Sequence, residues 1–318
     1  MKTVLITGGT GFIGRALAKA LLAKNYKVRV FTRKIPDRKL DGADYSAVSF
    51  EDLDSLKKGA EGADIIAHLA AALFCRSQKE FEKANTLGTA SLAAAVAGLE
   101  RPPEKFVYLS SLAAGGPAPD PENPRTEAMA DAPVSAYGAT KLGGETEVKK
   151  LPQAIRYTIL RPPIVYGKND AGISKIAHWV KKGFMVNAGS KNGRFSFIYL
   201  EDLVSAIITA IENPATDGRT YYVSENRTYD WRTFIGLLAG AMKVKQPSML
   251  DMPAHALYAL GWIYELVSLL GGAEPVFNRD KAREGAAANW TANPGQWERD
   301  TAWPGWTSLE DGVRKTFS

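Results

Sequence analysis

The sequence predicts an α/β protein with a doubly wound parallel sheet and a smaller, mostly helical C-terminal lobe. Three observations predict it. Short β-branched or aliphatic runs alternate with alanine- and leucine-rich segments of helical period, the pattern of successive βαβ units. The first run leads straight into a glycine loop, Gly8-Gly9-Thr10-Gly11-Phe12-Ile13-Gly14, that opens a helix. After Arg161 the alternation breaks down, so the rest of the chain needs another packing.

Taken in order, strands are expected at residues 3–7, 28–32, 47–50, 65–69, 106–110 and 158–161. Between them, a helix over 12–24 places Ile13, Leu17, Ala20 and Leu21 on one face, and 85–99 reads as a small-residue helix able to pack closely on a sheet. Right-handed crossovers make these strands one parallel sheet. Residues 196–199, followed by 200–212 and then 220–223, read as late returns to that sheet. The smaller lobe takes in 166–194 and 225–318, where tryptophans are dense and Pro253 opens a helix through 270. The Pro-rich stretch 115–133 reads as a surface loop.

Composition narrows the function classes. At 318 residues, 45% hydrophobic and 23% charged, the chain is an ordinary globular protein. The single cysteine, Cys75, rules out an intrachain disulfide, and three histidines form no cluster at metal-ligand spacing. A reducing compartment and a metal-free mechanism are expected. The opening apolar run is too short for a secretory signal, so the expectation is a soluble, cytoplasmic protein. Forty Lys+Arg against 34 Asp+Glu give +6, but the basic residues are scattered, which argues against nucleic acid as partner. The apolar segment 254–270 contains His255 and Glu265 and falls short of a transmembrane span of about 20 residues. A core helix, an aromatic wall of an apolar substrate pocket and a surface attachment to a membrane remain open for it.

The chemistry begins at the glycine loop. Glycines 8, 11 and 14 let the backbone turn tightly and approach a pyrophosphate, while the helix N-terminus offers amide groups and positive dipole. This is the signature of a Rossmann-type dinucleotide site, formed by residues 1–165 and completed by about 195–224. The second strand ends in Thr32-Arg33-Lys34, with no carboxylate until Asp37. A basic residue there suits the extra phosphate of NADP, so NADP is favoured and NAD stays open. The second signal is Tyr137-Gly138-Ala139-Thr140-Lys141. Positions i and i+4 share a helical face, so the Lys141 ammonium can favour the Tyr137 phenolate. Its partner is Ser110-Ser111, at the carboxyl end of a strand, where open α/β sheets place ligands.

These motifs occur in the order GGTGFIG at 8–14, DIIAHLAA at 64–71, NTLGT at 85–89, YLSS at 108–111, YGATK at 137–141, RPPIVYG at 161–167 and FIYLEDL at 197–203. In that order the chain resembles the extended short-chain dehydrogenases/reductases, also called the NAD-dependent epimerase/dehydratase family. The resemblance implies that Ser111 hydrogen-bonds the reacting oxygen, that Tyr137 is the general acid/base, and that Lys141 binds the nicotinamide ribose while lowering the tyrosine pKa. It implies that Asn85 supports the adjoining helix and, in some members, a proton relay. Leu69, Ala70 and Ala71 would line the cofactor, Asp52 and Leu53 would approach the adenine, and Pro162, Ile164 and Val165 would meet the carboxamide.

Two departures bear on the substrate. Members acting on NDP-sugars tend to carry an acidic residue after the second strand and an arginine for the diphosphate just before the FIYVDD-like strand. Here the first position is basic and the second is Phe195, with Arg194 one residue early; a one-residue slip reverses side-chain direction. The C-terminal part is similar to bacterial reductases akin to 3β-hydroxysteroid dehydrogenases and dihydroflavonol reductases. The expectation is an NAD(P)-dependent oxidoreductase transferring hydride between nicotinamide and a secondary alcohol or ketone. The alternatives are a sugar or NDP-sugar epimerase/dehydratase that recycles its cofactor, and a non-catalytic dinucleotide-sensing scaffold. The partner expected is a small molecule, apolar in one reading, and the resemblance suggests a homodimer.

Overall fold

Seven strands pair into one sheet, and its central strands are buried on both faces. The computed structural model describes residues 1–188, 193–252, 256 and 279–318. Its strands are β1 (Thr3–Thr7), β2 (Lys27–Thr32), β3 (Ala43–Ala47), β4 (Ile65–His68), β5 (Lys105–Leu109), β6 (Arg156–Arg161), β7 (Ile164–Tyr166), β8 (Phe184–Ala188), β9 (Arg194–Phe195), β10 (Phe197–Tyr199), β11 (Arg219–Tyr222), β12 (Ser248–Met252) and β13 (Asn289–Trp290). The main sheet runs β11-β6-β5-β4-β1-β2-β3, all parallel. Val4, Leu5 and Ile6 are fully buried, as a central parallel strand with helices on both faces requires. One face is covered by helices Phe12–Ala23 and Leu200–Glu212, through Leu17, Leu21, Leu203 and Ile207. The other is covered by Leu53–Ala60, Gly88–Ala97 and Ala136–Lys149, through Leu56, Leu92, Val96 and Val148. Each such leucine contributes about 1.5–3 kcal/mol by leaving water. The strand order reverses between β1 and β4, which opens a crevice at their carboxyl ends.

Three local expectations are corrected. The third strand is Ala43–Ala47 rather than 47–50: it is the sheet edge, half exposed, and the more apolar Val48 and Phe50 pack on the face instead of continuing the ladder. The helix expected at 85–99 starts earlier, as Gln78–Phe81, runs through a wide π-turn at Glu82–Leu87 and continues as Gly88–Ala97. The π-turn carries Asn85, and such turns often mark functional positions. Residues 197–199 pair with β7 in a separate two-stranded sheet and not with the main one. Residues 219–222 do join the main sheet, beside β6.

A second core forms where β7 and β10 meet helices Ala171–Lys181, Trp231–Ala241 and Leu309–Phe317, around Tyr166, Phe197, Phe234 and Val313. Trp297 packs edge-on against Tyr221, with ring centroids 5.2 Å apart, so this tryptophan belongs to the main-sheet core. The segment 254–270, Ala256 apart, lies outside the described residues. Among the described residues no helix is long and apolar enough to cross a membrane, and no group of metal-ligating side chains is present.

Candidate active site

The glycine loop sits at the strand reversal because only glycines fit there. A Cβ on Gly14 would lie 2.2 Å from the Gly8 carbonyl oxygen, so the loop and the first turn of helix Phe12–Ala23 touch backbone to backbone. Gly11 caps that helix, and no side chain accepts from its first amides. Phe12, Ile13 and Gly14 therefore present unshared N–H groups and the positive end of the helix dipole, beside exposed Thr10. Leu69 and Ala70 run alongside, their amides donating to the Thr7 carbonyl (3.2 Å) and Thr7 hydroxyl (3.1 Å); Ala71 is exposed next to them. This cradle fits the pyrophosphate of a dinucleotide. Arg33 and Lys34 lie exposed just past β2, without an ion pair among the described residues. Asp52 is used locally: its Oδ1 accepts from Ser55 N at 3.0 Å and caps the helix of which Leu53, partly exposed, is the first residue.

The second half of the site hangs on helix Ala136–Lys149. A Cβ on Gly138 would lie 2.3 Å from the Ala113 carbonyl, so the helix can press onto Leu112–Gly115, and this brings Tyr137 to Ser111. The Ser111 hydroxyl hydrogen-bonds the Tyr137 phenol and also accepts from Ala113 N at 3.1 Å. The phenol is buried among Cys75, Phe81 and Ala113. Burial above all, and then the charge of Glu284, push its pKa above the usual tyrosine range, while the Ser111 hydrogen bond works the other way.

Lys141 is anchored by the backbone of β5. Its ammonium donates to the Leu109 carbonyl at 2.8 Å and lies 4.1 Å over the Tyr108 ring. Full burial lowers its pKa to about 7, with Glu145 opposing. The Asn85 amide accepts from Ala72 N (2.8 Å) and donates to Ala72 O (3.1 Å) and to Thr140 Oγ1 (3.2 Å), tying the segment at Ala72 to helix Ala136–Lys149. Pro162 accepts from Leu112 N at 2.8 Å, and Ile164 and Val165 follow on β7.

Sequence reasoning missed the scaffold behind these groups. His68 bridges Thr7 (Nδ1 to Oγ1, 2.5 Å) and Thr89 (Nε2 to Oγ1, 3.0 Å), and Thr89 spends its one proton on Asn85 O at 2.6 Å. Nε2 must therefore donate and Nδ1 accept, so the ring is neutral. Its pKa is lowered to about 3, first by burial and then by the Lys141 charge. Arg161 is clamped by Glu145 (2.6 and 2.8 Å) and Asp131 (2.6 and 2.8 Å) and reaches Tyr222 Oη at 3.0 Å. Ser110 also donates to Glu145, at 2.5 Å. A signal for Glu145 was present: it lies one turn past Lys141 on the same face, and a buried carboxylate requires a cationic partner. Arg194 points outward to Asp230 (3.5 Å), while Phe195 packs against Trp231 with ring centroids 5.9 Å apart.

Fold and site together define a dinucleotide-binding α/β enzyme with serine, tyrosine and lysine at the carboxyl end of its sheet. The chain belongs to the NAD-dependent epimerase/dehydratase family of extended short-chain dehydrogenases/reductases, whose family model matches residues 4–224. It is 33% identical over 217 residues to the uncharacterized protein y4nG of Sinorhizobium fredii, covering 66% of this chain and 53% of that one. It is 28% identical over 297 residues to a ceramide reductase of Caulobacter vibrioides, covering 91% and 85%. Its fold is similar to that of a Thermus thermophilus UDP-glucose 4-epimerase in complex with NAD, with TM-score 0.78, 20% identity and 99% and 97% of the two chains covered.

Proposed function

We propose that the protein is an NADP-dependent reductase of a ketone, or dehydrogenase of the corresponding secondary alcohol, with net turnover of free cofactor and an apolar substrate. The observation that carries this choice is Phe195, turned into the second core at the position where an arginine would hold a sugar-nucleotide diphosphate, with Arg194 drawn off to Asp230. The likeness to a ceramide reductase over most of both chains supports it, and a sequence with one cysteine, the buried Cys75, fits a reducing, cytoplasmic setting.

The nicotinamide supplies or accepts the hydride when bound. Ser111 holds the substrate oxygen and polarises it, and Tyr137 gives that oxygen its proton in reduction or removes it in oxidation. Lys141 binds the ribose hydroxyls, and the glycine loop with the open helix terminus holds the pyrophosphate. Arg33 and Lys34 receive the 2′-phosphate. Asn85 fixes the catalytic helix against the segment 69–72.

The test is a panel of hydrophobic ketones, steroid-like alcohols, simple sugars and NDP-sugars incubated with protein and NADP(H) or NAD(H) while absorbance of the reduced nicotinamide is followed. Stoichiometric change with a ketone or alcohol supports the proposal. Conversion of an NDP-sugar with no change in free cofactor contradicts it.

A further inference from the structure

Two carboxylates from a distant stretch of chain close the first turn of the catalytic helix. Ser135 caps helix Ala136–Lys149, its hydroxyl accepting from Gly138 N at 3.0 Å. The amides of Ala136 and Tyr137 have no partner within a helix at those positions. Asp280, 144 residues beyond Ala136, supplies both: its Oδ1 accepts from Ala136 N at 2.6 Å and its Oδ2 from Tyr137 N at 3.2 Å. One turn further, on the same face of helix Arg279–Ala286, Glu284 Oε1 accepts from Ser135 Oγ at 2.6 Å. The Glu284 carbonyl in turn receives the Trp290 indole N–H at 2.8 Å, and Trp290 packs beside Tyr137.

Ser135 alone caps an ordinary helix. Here a second helix brings one carboxylate onto the Tyr137 backbone and another within electrostatic reach of its phenol. We propose that Asp280 and Glu284 are positioning residues that lock the first turn of the catalytic helix and keep Tyr137 set to protonate a carbonyl oxygen. This rests on the reading of Tyr137 as the acid/base. Among the described residues, the phenol is faced by Cys75 and Phe81 on one side, Ser111 and Ala113 on another, Trp290 on β13, Tyr108 on β5, Glu284 from the second helix, and Lys141 on its own helix, held by the Leu109 carbonyl. Ser111 stabilises the phenolate and Glu284 opposes it. A phenol kept protonated can donate in reduction up to a higher pH.

The test is kcat/KM for carbonyl reduction between pH 6 and 10, on the full chain with its cofactor and a ketone found in the panel. The variants are Glu284→Gln, Ser135→Ala, Asp280→Asn and Tyr137→Phe. Glutamine keeps an acceptor for Ser135 and removes the charge, so the alkaline limb should move down by about half to one pH unit, and the acidic limb of alcohol oxidation should move with it. Ser135→Ala, which frees Glu284 from its anchor, should shift the limb the same way by less. Asp280→Asn should lower kcat by about tenfold with KM and cofactor Kd changed less than about twofold. An unshifted limb in whichever of Glu284→Gln and Ser135→Ala folds, with Tyr137→Phe inactive, overturns the proposal alone. Wild-type turnover in Tyr137→Phe overturns the acid/base reading and the proposal with it.

Discussion

Two helix N-termini face the same crevice and are finished in opposite ways. Helix Phe12–Ala23 begins at Gly11 with no side-chain cap, whereas helix Ala136–Lys149 has its first amides taken by Ser135 and Asp280. On the proposed function, the difference separates two tasks. A bare terminus leaves donors and dipole free for an anion, so it suits binding. A closed terminus holds its first residues still, so it suits a side chain that must meet a reacting atom within a few tenths of an ångström. The path from one to the other runs through His68, from Thr7 at the end of β1 to Thr89 and Asn85.

The largest effect should come from the closed end. Tyr137→Phe removes the proposed proton donor and should lower turnover by roughly 10²–10⁴ while leaving cofactor affinity within about twofold, as single-turnover kinetics and calorimetry would report. Equal losses in binding and turnover would mean that the two termini are not separate in function. At the bare end, Gly14→Ala forces a Cβ to within 2.2 Å of Gly8 O. Displacing that contact costs about 1–3 kcal/mol, so cofactor Kd should rise by roughly 5- to 150-fold if that cost falls on binding, with the Tyr137-dependent pH profile unchanged.

A smaller effect sharpens the assignment of the bare end. Arg33→Ala and Lys34→Ala should each lower the preference for NADP(H) over NAD(H) by up to about tenfold, through loss of charge-assisted contacts to the 2′-phosphate; titration with both cofactors measures it. Unchanged preference in both would move the selectivity elsewhere. The smallest concerns the bridge. The folded pKa of His68, about 3, lies below its unfolded value of 6.5, so its contribution to stability is full above pH 6.5 and is lost as pH falls towards 3. In urea unfolding between pH 4 and 7, His68→Asn should lose stability less steeply with acid than wild type, by up to one proton's slope.

Much of this was legible in the residues. The glycine loop, the order of buried strands and the Ser111, Tyr137 and Lys141 positions follow from local patterns, because each is written within a few consecutive residues. The edge strand at Ala43–Ala47 was not, since an edge half exposed to solvent carries little apolar signal. The π-turn at Glu82–Leu87 was hidden because it differs from an α-helix by one residue in hydrogen-bond reach. His68, Arg161, Asp280 and Glu284 work through partners 16 to 149 residues away, and no local pattern reveals such pairs. The shared helical face of Tyr137 and Lys141 is legible locally, but the Leu109 carbonyl that receives the ammonium is not, because it lies 32 residues away on another element.

Net hydride transfer is the central claim, and isotope tracing tests it most directly. NADPH carrying deuterium at nicotinamide C4, on the transferred face, is incubated with the protein and a responsive hydrophobic ketone, and the products are read by mass spectrometry. The account predicts one deuterium on the carbinol carbon of the alcohol for each NADPH oxidised, with incorporation slowed in Tyr137→Phe. Turnover of an NDP-sugar with the free NADPH left unoxidised, and no deuterated alcohol from any ketone, would contradict it.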